Sequence, residues 1–221
     1  MPRRDGISMS VIRRMPRYYR YLSHLEQTGV TRISSKELSE RMGLTASQIR
    51  QDLNCFGGFG QQGYGYIVSE LRKEIGNILG LQNTHKAVVL GSGHLGQAVS
   101  AYLKFETKGF QLIGMFDNNP AIIGTSTLCD LIVTDVAQLE EFCQQHKPTM
   151  AVLCIPLQAA AELVERLYGL GIRTFWNFSH FDILRQYPDV TVESVHLSDS
   201  LMTLCYLMNE NPGSAAKPLR F

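Results

Sequence analysis

Residues 86–102 constrain the fold more than any other stretch of this chain. Lys86-Ala-Val-Val-Leu90 is followed by Gly91-Ser92-Gly93-His94-Leu95-Gly96 and then by Gln97-Ala-Val-Ser-Ala-Tyr102. A short apolar run thus leads through three glycines at G-x-G-x-x-G spacing into a helix-compatible segment, the context in which a strand, a phosphate-binding turn and a helix open a dinucleotide-binding unit. There Gly91 permits the tight turn, Gly93 lets backbone approach a pyrophosphate, and Gly96 lets helix and strand pack closely. The unpaired N–H groups of the first helical turn, reached through Ser92, His94 and Leu95, face the phosphates with the positive end of the helix dipole behind them.

A bare glycine triplet is equally a structural turn, and the segment after the helix adds weight to the nucleotide reading. Phe110-Gln-Leu-Ile-Gly-Met-Phe116 reads as a second strand, ending in Asp117. An acidic side chain there is placed to bind both ribose hydroxyls of an adenosine and to repel a 2′-phosphate. Asn118-Asn119-Pro120 supplies no arginine to reverse that preference, so NAD and NADH are expected over NADP. Further on, 135–145 reads as a helix, 149–155 as a buried strand, 157–170 as a helix, and 173–176 and 190–195 as strands. Such alternation predicts an α/β fold of Rossmann type, a doubly wound parallel sheet with right-handed crossovers. Ligands of these sheets sit outside the carboxyl ends of the strands, which puts Ile155, Pro156, Asn177 and Phe178 on the cofactor rim. Phe178 reads equally well as core packing.

The 221 residues suffice for one large domain or two modest ones. No apolar run approaches the roughly 20 residues needed to cross a bilayer, and no apolar segment follows Met1-Pro-Arg-Arg-Asp5 to make a signal peptide. Cysteines 55, 129, 143, 154 and 205 are odd in number and scattered, which suits reduced cytoplasmic thiols better than a disulfide or zinc framework. The net charge of +1 hides an asymmetry. Residues 1–60 carry ten Lys and Arg against five Asp and Glu, and the remainder carries eleven against fifteen. A basic N-terminal module on an acidic body calls for a polyanion partner.

That module has its own punctuation. Pro16 suits the first turn of a helix whose apolar face is Tyr18, Tyr21, Leu22 and Leu25, stopped at Gly29. Arg13, Arg14, Arg17 and Arg20 share a second face at its start. Ser34 and Glu37 form a capping box, Gly43 ends the short helix, and Thr45 opens another, 46–55, with Ile49 and Leu53 inward. Helix, tight turn, capped helix is a helix-turn-helix. On it Ser47, Gln48, Arg50, Gln51 and Asn54 lie on or beside the outer face, as side chains that read bases or hold phosphates in a major groove must. Residues 56–66 alternate glycine with Phe56, Phe59, Tyr64 and Tyr66 and read as a glycine-turned hairpin, the wing of a winged helix, followed by a helix over 68–79. With Arg13, Arg14, Arg17 and Ser34, and Gln61, Gln62 and Tyr64 of the wing, these residues are the candidates for contact with double-stranded DNA.

In their order, Arg14-Met-Pro-Arg-Tyr-Tyr-Arg-Tyr-Leu22, Ser34-Ser-Lys-Glu-Leu38, Gln48-Ile-Arg-Gln-Asp-Leu53, Phe56-Gly-Gly-Phe-Gly60, Gly63-Tyr-Gly-Tyr66 and the glycine fingerprint give the chain a resemblance to the Rex redox-sensing transcriptional repressors from end to end. The resemblance implies a homodimer that binds an A·T-rich inverted-repeat operator at low NADH and leaves it when NADH rises against NAD. It also implies that the apolar helix 197–209 (Leu197, Leu201, Leu204, Leu207, Met208) is exchanged into the partner subunit. The division expected is therefore a winged-helix DNA-binding domain over 1–80, a Rossmann NAD(H)-binding domain over 85–196, the dimerisation helix over 197–209 and a disordered tail over 210–221.

The chain departs from the family pattern at several places. Gln51 replaces a lysine of the recognition helix, Gln61 and Gln62 replace basic wing residues, His196 stands where an aspartate is usual, and Ser179-His180 replaces Ala-Pro. The acidic member of a relay from Tyr102 to Arg20 would thereby be a histidine. Two other readings remain at this point: an NAD-dependent oxidoreductase, for which the sequence offers no nucleophile–base pair or metal-ligand spacing, and a regulator responding to CoA or another nucleotide.

Overall fold

The computed structural model describes residues 7–59, 64–106 and 109–210. Gln61, Gln62 and the tail from 211 onward lie outside the described residues. The chain divides between Gln82 and Asn83 into two compact units.

In the first unit, the one-turn helix α1 (Met9–Ile12) precedes α2 (Met15–Gln27), whose first turn holds Pro16 and whose Met15, Tyr18, Leu22 and Leu25 are buried. Strand β1 (Arg32–Ile33) leads to α3 (Ser35–Met42) and α4 (Ala46–Asn54). Both bonds of the Ser34–Glu37 capping box form, Gly43 closes α3 at φ 64°, and the Thr45 hydroxyl accepts from Gln48 N–H at 3.1 Å. Strand β2 (Tyr66–Ile67) and α5 (Val68–Ile78) complete the unit around a core that includes Tyr18, Leu38, Ile49, Leu53, Leu71 and Ile75.

The tip of the hairpin expected within 56–66, residues 60–63, lies outside the described residues, and the strand pairing found beside it is with β1. Tyr66 pairs antiparallel with Ile33, and Ile67 with Arg32. Phe56 and Phe59 pack against the helical core instead of forming a strand. Gly65 lies so close to β1 that a Cβ would stand 2.6 Å from the Ile33 carbonyl oxygen, and its φ is +70°. One glycine of the run thus serves a close approach between distant segments.

The second unit is a six-stranded parallel sheet of order β5-β4-β3-β6-β7-β8. Its strands are β3 (His85–Leu90), β4 (Phe110–Asp117), β5 (Val133–Asp135), β6 (Met150–Leu153), β7 (Thr174–Asn177) and β8 (Thr191–Ser194). Helices α6 (His94–Glu106), α7 (Leu139–His146), α8 (Leu157–Gly169), α9 (Ile183–Gln186) and α10 (Leu197–Glu210) connect or follow them. Two apolar clusters serve the sheet, one including Val88, Leu90, Phe116 and Phe175, the other Ala87, Val89, Met115 and Val152. Alternate residues of β3 belong to different clusters, as a strand covered on both faces requires. The strand order reverses between β3 and β6, and at such a switch point the carboxyl ends of the strands part to leave a crevice.

The helix expected over 135–145 is found as a 3₁₀ turn at Val136–Gln138 running into α7, and only Asp135 belongs to strand β5. Asp135 ends the strand, and its Oδ1 accepts from Ala137 N–H at 2.8 Å to start the turn. Among the described residues no helix is long and apolar enough to cross a membrane.

Candidate dinucleotide cleft and nucleic-acid interface

The glycine loop is built by close backbone contacts. Gly91 has φ +93°, and a Cβ there would stand 2.3 Å from the Cys154 carbonyl oxygen. At Gly96 a Cβ would stand 1.8 Å from the Gly91 carbonyl oxygen. Gly93 differs: a Cβ there would meet no protein atom within 4 Å. Two glycines therefore let the loop fold, and the third borders open space at the first turn of α6, where helical N–H groups lack intrahelical partners. That combination fits a pyrophosphate.

Asp117, at the end of β4, is fastened to this loop. Its Oδ2 accepts from Ser92 N–H at 2.7 Å and its Oδ1 from Asn119 N–H at 2.9 Å. Ser92 is turned inward, with its hydroxyl accepting from Gln97 Nε2 at 2.9 Å, whereas His94 and Leu95 are exposed. Gly91, Gly93, Asp117, Asn118, Ile155 and Pro156 line one cleft of about 420 Å³. Arg166 shares the wall, but its guanidinium is forked onto Glu140 at 2.6 and 2.9 Å and donates to the Val136 carbonyl at 2.9 Å. Burial pushes the Cys154 thiol at the cleft up to about 12, so it stays a neutral thiol.

Asn177 and Phe178 are not among the residues lining this cleft. Asn177 is 1% exposed and its amide is committed to its own loop: Nδ2 donates to the Phe181 carbonyl at 2.9 Å, and Oδ1 accepts from Ser179 N–H at 3.0 Å and Ser179 Oγ at 2.6 Å. Phe178 is half-buried against Trp176, ring centroids 4.9 Å apart. His196 is engaged by His180, Nδ1 to Nδ1 at 2.6 Å, so two departures from the family pattern meet in one contact.

On the first unit, Arg13, Ser47, Arg50, Gln51 and Asn54 are exposed, as is Tyr64 of the wing. Arg50 also reaches back to Ser35 Oγ at 2.9 Å. Arg17 donates to the Met42 carbonyl at the end of α3, and Ser34 is spent on its capping box. Arg14 and Gln48, expected at the duplex, both bind Asp52, which is fully buried in α4. Arg14 Nε and Nη2 bind its two carboxylate oxygens at 2.6 and 2.8 Å, Tyr18 Oη donates to Oδ2 at 2.8 Å, and Gln48 Nε2 to Oδ1 at 2.8 Å. A buried carboxylate is tolerated only with such partners, and its pull on nearby donors outweighs their exposure to water. Burial pushes the Asp52 carboxyl up, but hydrogen bonds from Arg14, Gln48 and Tyr18 win and hold it below the ordinary carboxylate value. Asp52 was legible in principle, because positions 49, 52 and 53 share one helical face.

The N-terminal residues 6–54 match a family model described as "Putative DNA-binding protein N-terminus", and 82–181 match one described as "CoA binding domain". A curated relative from Thermoanaerobacter pseudethanolicus, a redox-sensing transcriptional repressor Rex, is 51% identical over 210 residues, covering 95% of this chain and 93% of its own. The chain belongs to the Rex family of redox-sensing transcriptional repressors. Among solved Rex structures, the repressor RSP in complex with β-NAD⁺ and operator DNA is 51% identical with a TM-score of 0.84, covering 93% of this chain and 94% of RSP. RSP in complex with β-NADH is 48% identical with the same TM-score, covering 95% and 97%. The Rex relatives carry the names of repressors, not of enzymes. The α/β architecture expected from the glycine fingerprint is the one found.

Proposed function

We propose that this chain represses transcription from the cytoplasm as a homodimer, holding an A·T-rich inverted-repeat operator when NADH is scarce and releasing it when NADH binds. The carrying observation is that one Rex chain combines an exposed polar face on α4 with a cleft whose glycine loop opens onto free space at Gly93. In this reading residues 1–80 bind DNA, 85–196 bind the dinucleotide and 197–209 hold the dimer together. Arg13, Ser47, Arg50, Gln51, Asn54 and the wing, with Gln61, Gln62 and Tyr64, meet the duplex. The loop 91–96, Asp117, Asn118, Ile155 and Pro156 hold the dinucleotide.

When bound, the dinucleotide supplies a nicotinamide ring that is cationic when oxidised and neutral when reduced. A pocket closed by apolar side chains disfavours the cation. Helix α10 offers such side chains: Leu197, Leu201, Leu204 and Met208 are all at least 50% exposed, and nothing on α10 is buried. A second subunit is the natural cover for that surface. Two half-sites about one helical turn apart must be read together, so a shift of one subunit against the other spoils both contacts. Driving that shift nearly to completion takes about a 10⁴-fold preference between states, or about 5.5 kcal/mol, shared by two cofactor sites.

A gel shift on an A·T-rich inverted repeat at fixed salt tests the reading. NADH should dissociate the complex at concentrations where NAD⁺ and CoA do not; equal action by NADH and NAD⁺ would overturn redox sensing, and release by CoA alone would favour another nucleotide. Exchange of Leu201 and Leu204 for glutamate should yield monomers in sedimentation and remove operator binding, whereas a wild-type monomer that still binds would refute the dimer. Asp117→Ala should lower NADH affinity about tenfold or more, as expected for losing hydrogen bonds to a charged group. It should also narrow the preference over NADPH, since the remaining guanidinium at the cleft, Arg166, is held by Glu140. An equal loss for both dinucleotides in titrations would mean that the carboxylate only fastens the loop.

A further inference from the structure

The buried carboxylate of Asp52 uses every acceptor site it has. Two oxygens offer about four lone-pair positions, and four donors occupy them: Arg14 Nε and Tyr18 Oη on Oδ2, Arg14 Nη2 and Gln48 Nε2 on Oδ1. Arg14 immediately precedes α2 as its N-cap residue, Tyr18 lies on α2, and Gln48 and Asp52 lie one turn apart on α4. The contact thus runs between the basic start of one helix and the inner face of another, 38 residues away in sequence.

The apolar side chains beside it, Ile49 and Leu53, bury area without direction, and a helix of nine residues held by them alone can roll about its axis at little expense. A forked guanidinium on a carboxylate is directional: two parallel bonds fix both distance and plane. Rolling α4 would break both at once and strand a charge. The exposed side chains Ser47, Arg50, Gln51 and Asn54 are rigidly tied to that roll, because they project from the same nine residues.

We propose that Asp52 is a positioning residue for DNA reading: it fixes the roll of α4 through Arg14 and Tyr18, and Arg14 and Gln48 act on the operator through Asp52 and not by touching the duplex. The proposal rests on the DNA-binding reading above and adds a specificity determinant to it. It differs from a purely stabilising role. Apolar substitution of a buried ion pair restores or raises stability in favourable cases, so stability and positioning are separable here.

The experiment uses the full-length chain with Arg14→Met and Asp52→Leu combined, together with Asp52→Asn and Arg14→Met alone. Melting temperature and NADH affinity establish which variants are folded. Binding is then measured on an A·T-rich inverted-repeat duplex and on a scrambled duplex of equal length, across a salt series. The expected result for the double variant is a folded chain with wild-type NADH affinity, melting somewhat below wild type because the Tyr18 hydroxyl loses its acceptor, with operator affinity reduced about tenfold or more and scrambled-duplex affinity unchanged. The salt slope should also be unchanged, since a lost phosphate contact would lower it by about 0.9. Asp52→Asn, which keeps the shape and loses the charge, should lie between wild type and the double variant in operator-to-scrambled ratio. A folded double variant with the wild-type ratio overturns the proposal, as does a salt slope that falls by about one on Arg14→Met. A double variant that does not fold leaves the decision to the ratio in Asp52→Asn, and a wild-type ratio there overturns it too. Failure of the wild-type chain to prefer the inverted repeat would instead overturn the DNA-binding reading itself.

Discussion

Gly96→Ala is expected to destabilise the dinucleotide unit by at least about 3 kcal/mol, the upper end of what overpacking costs in a well-packed interior. The added methyl would lie 1.8 Å from the Gly91 carbonyl oxygen and 2.9 Å from its carbon. Both obstacles are backbone, so no side chain can swing aside to relieve them. The loop itself would have to move, and Gly91 cannot follow easily, because its N–H is held by the Phe116 carbonyl at 2.8 Å. NADH binding should fall with the fold, and thermal unfolding with a fluorescence titration would read both. Gly93→Ala is the companion variant. Its methyl meets no protein atom within 4 Å, so melting should be unchanged, while NADH affinity should drop if, as proposed, that open space takes a phosphate. A Gly96→Ala chain that melts like wild type, or a Gly93→Ala chain that keeps full affinity, would contradict the geometry of the loop.

Asp52→Ala should cost the N-terminal unit about 3–5 kcal/mol, as breaking one side of a buried ion pair does. The guanidinium of Arg14 and the hydroxyl of Tyr18 would remain with their shared acceptor gone. The same pair predicts an acid dependence. The native carboxyl is held below its unfolded value by Arg14, Gln48 and Tyr18, against the opposing effect of burial. Its contribution is therefore complete above the unfolded value, about 3.9, and disappears as pH falls through the lower native value. Circular dichroism melts between about pH 2 and 6 should show wild type losing stability on the acid side. Asp52→Asn, already less stable at neutral pH, should lose less over the same span. Parallel curves for the two proteins would show that another carboxylate governs acid unfolding. At the alkaline end burial, with Asp52 beside it, pushes the Tyr18 phenol well above its ordinary value, so Tyr18 remains a donor throughout the working range.

The features legible in the sequence were mostly those that chemistry decides within a few residues. The Ser34–Glu37 box, the left-handed Gly43 and the Thr45 cap each involve neighbours three or four apart, and each is present in the fold. The glycine fingerprint was legible because its spacing encodes a backbone path that side chains would block. Strand β5 and helix α9 were missed for a plain reason: three and four residues carry no measurable period. The pairing of Tyr66 with Ile33 joins segments 33 positions apart, and no local rule distinguishes it from a hairpin turned within 56–66. Asp52 and Asn177 were hidden differently. A polar side chain is ordinarily taken as facing water; the helical face shared with Ile49 and Leu53 marks Asp52 as inward, whereas for Asn177 only the partners gathered around it do so.

The bond between Ser92 and Asp117 has a consequence for how quickly such a regulator can answer its signal. Backbone donors claim about two of the four lone-pair positions on that carboxylate, which leaves capacity for a sugar's hydroxyls without unfastening the turn. On the proposed reading this turn need not reorder before its carboxylate takes a ribose, because both of its oxygens are already fixed by backbone. The time needed to answer would then lie in the shift between subunits and the release of the duplex, not in the ordering of this turn.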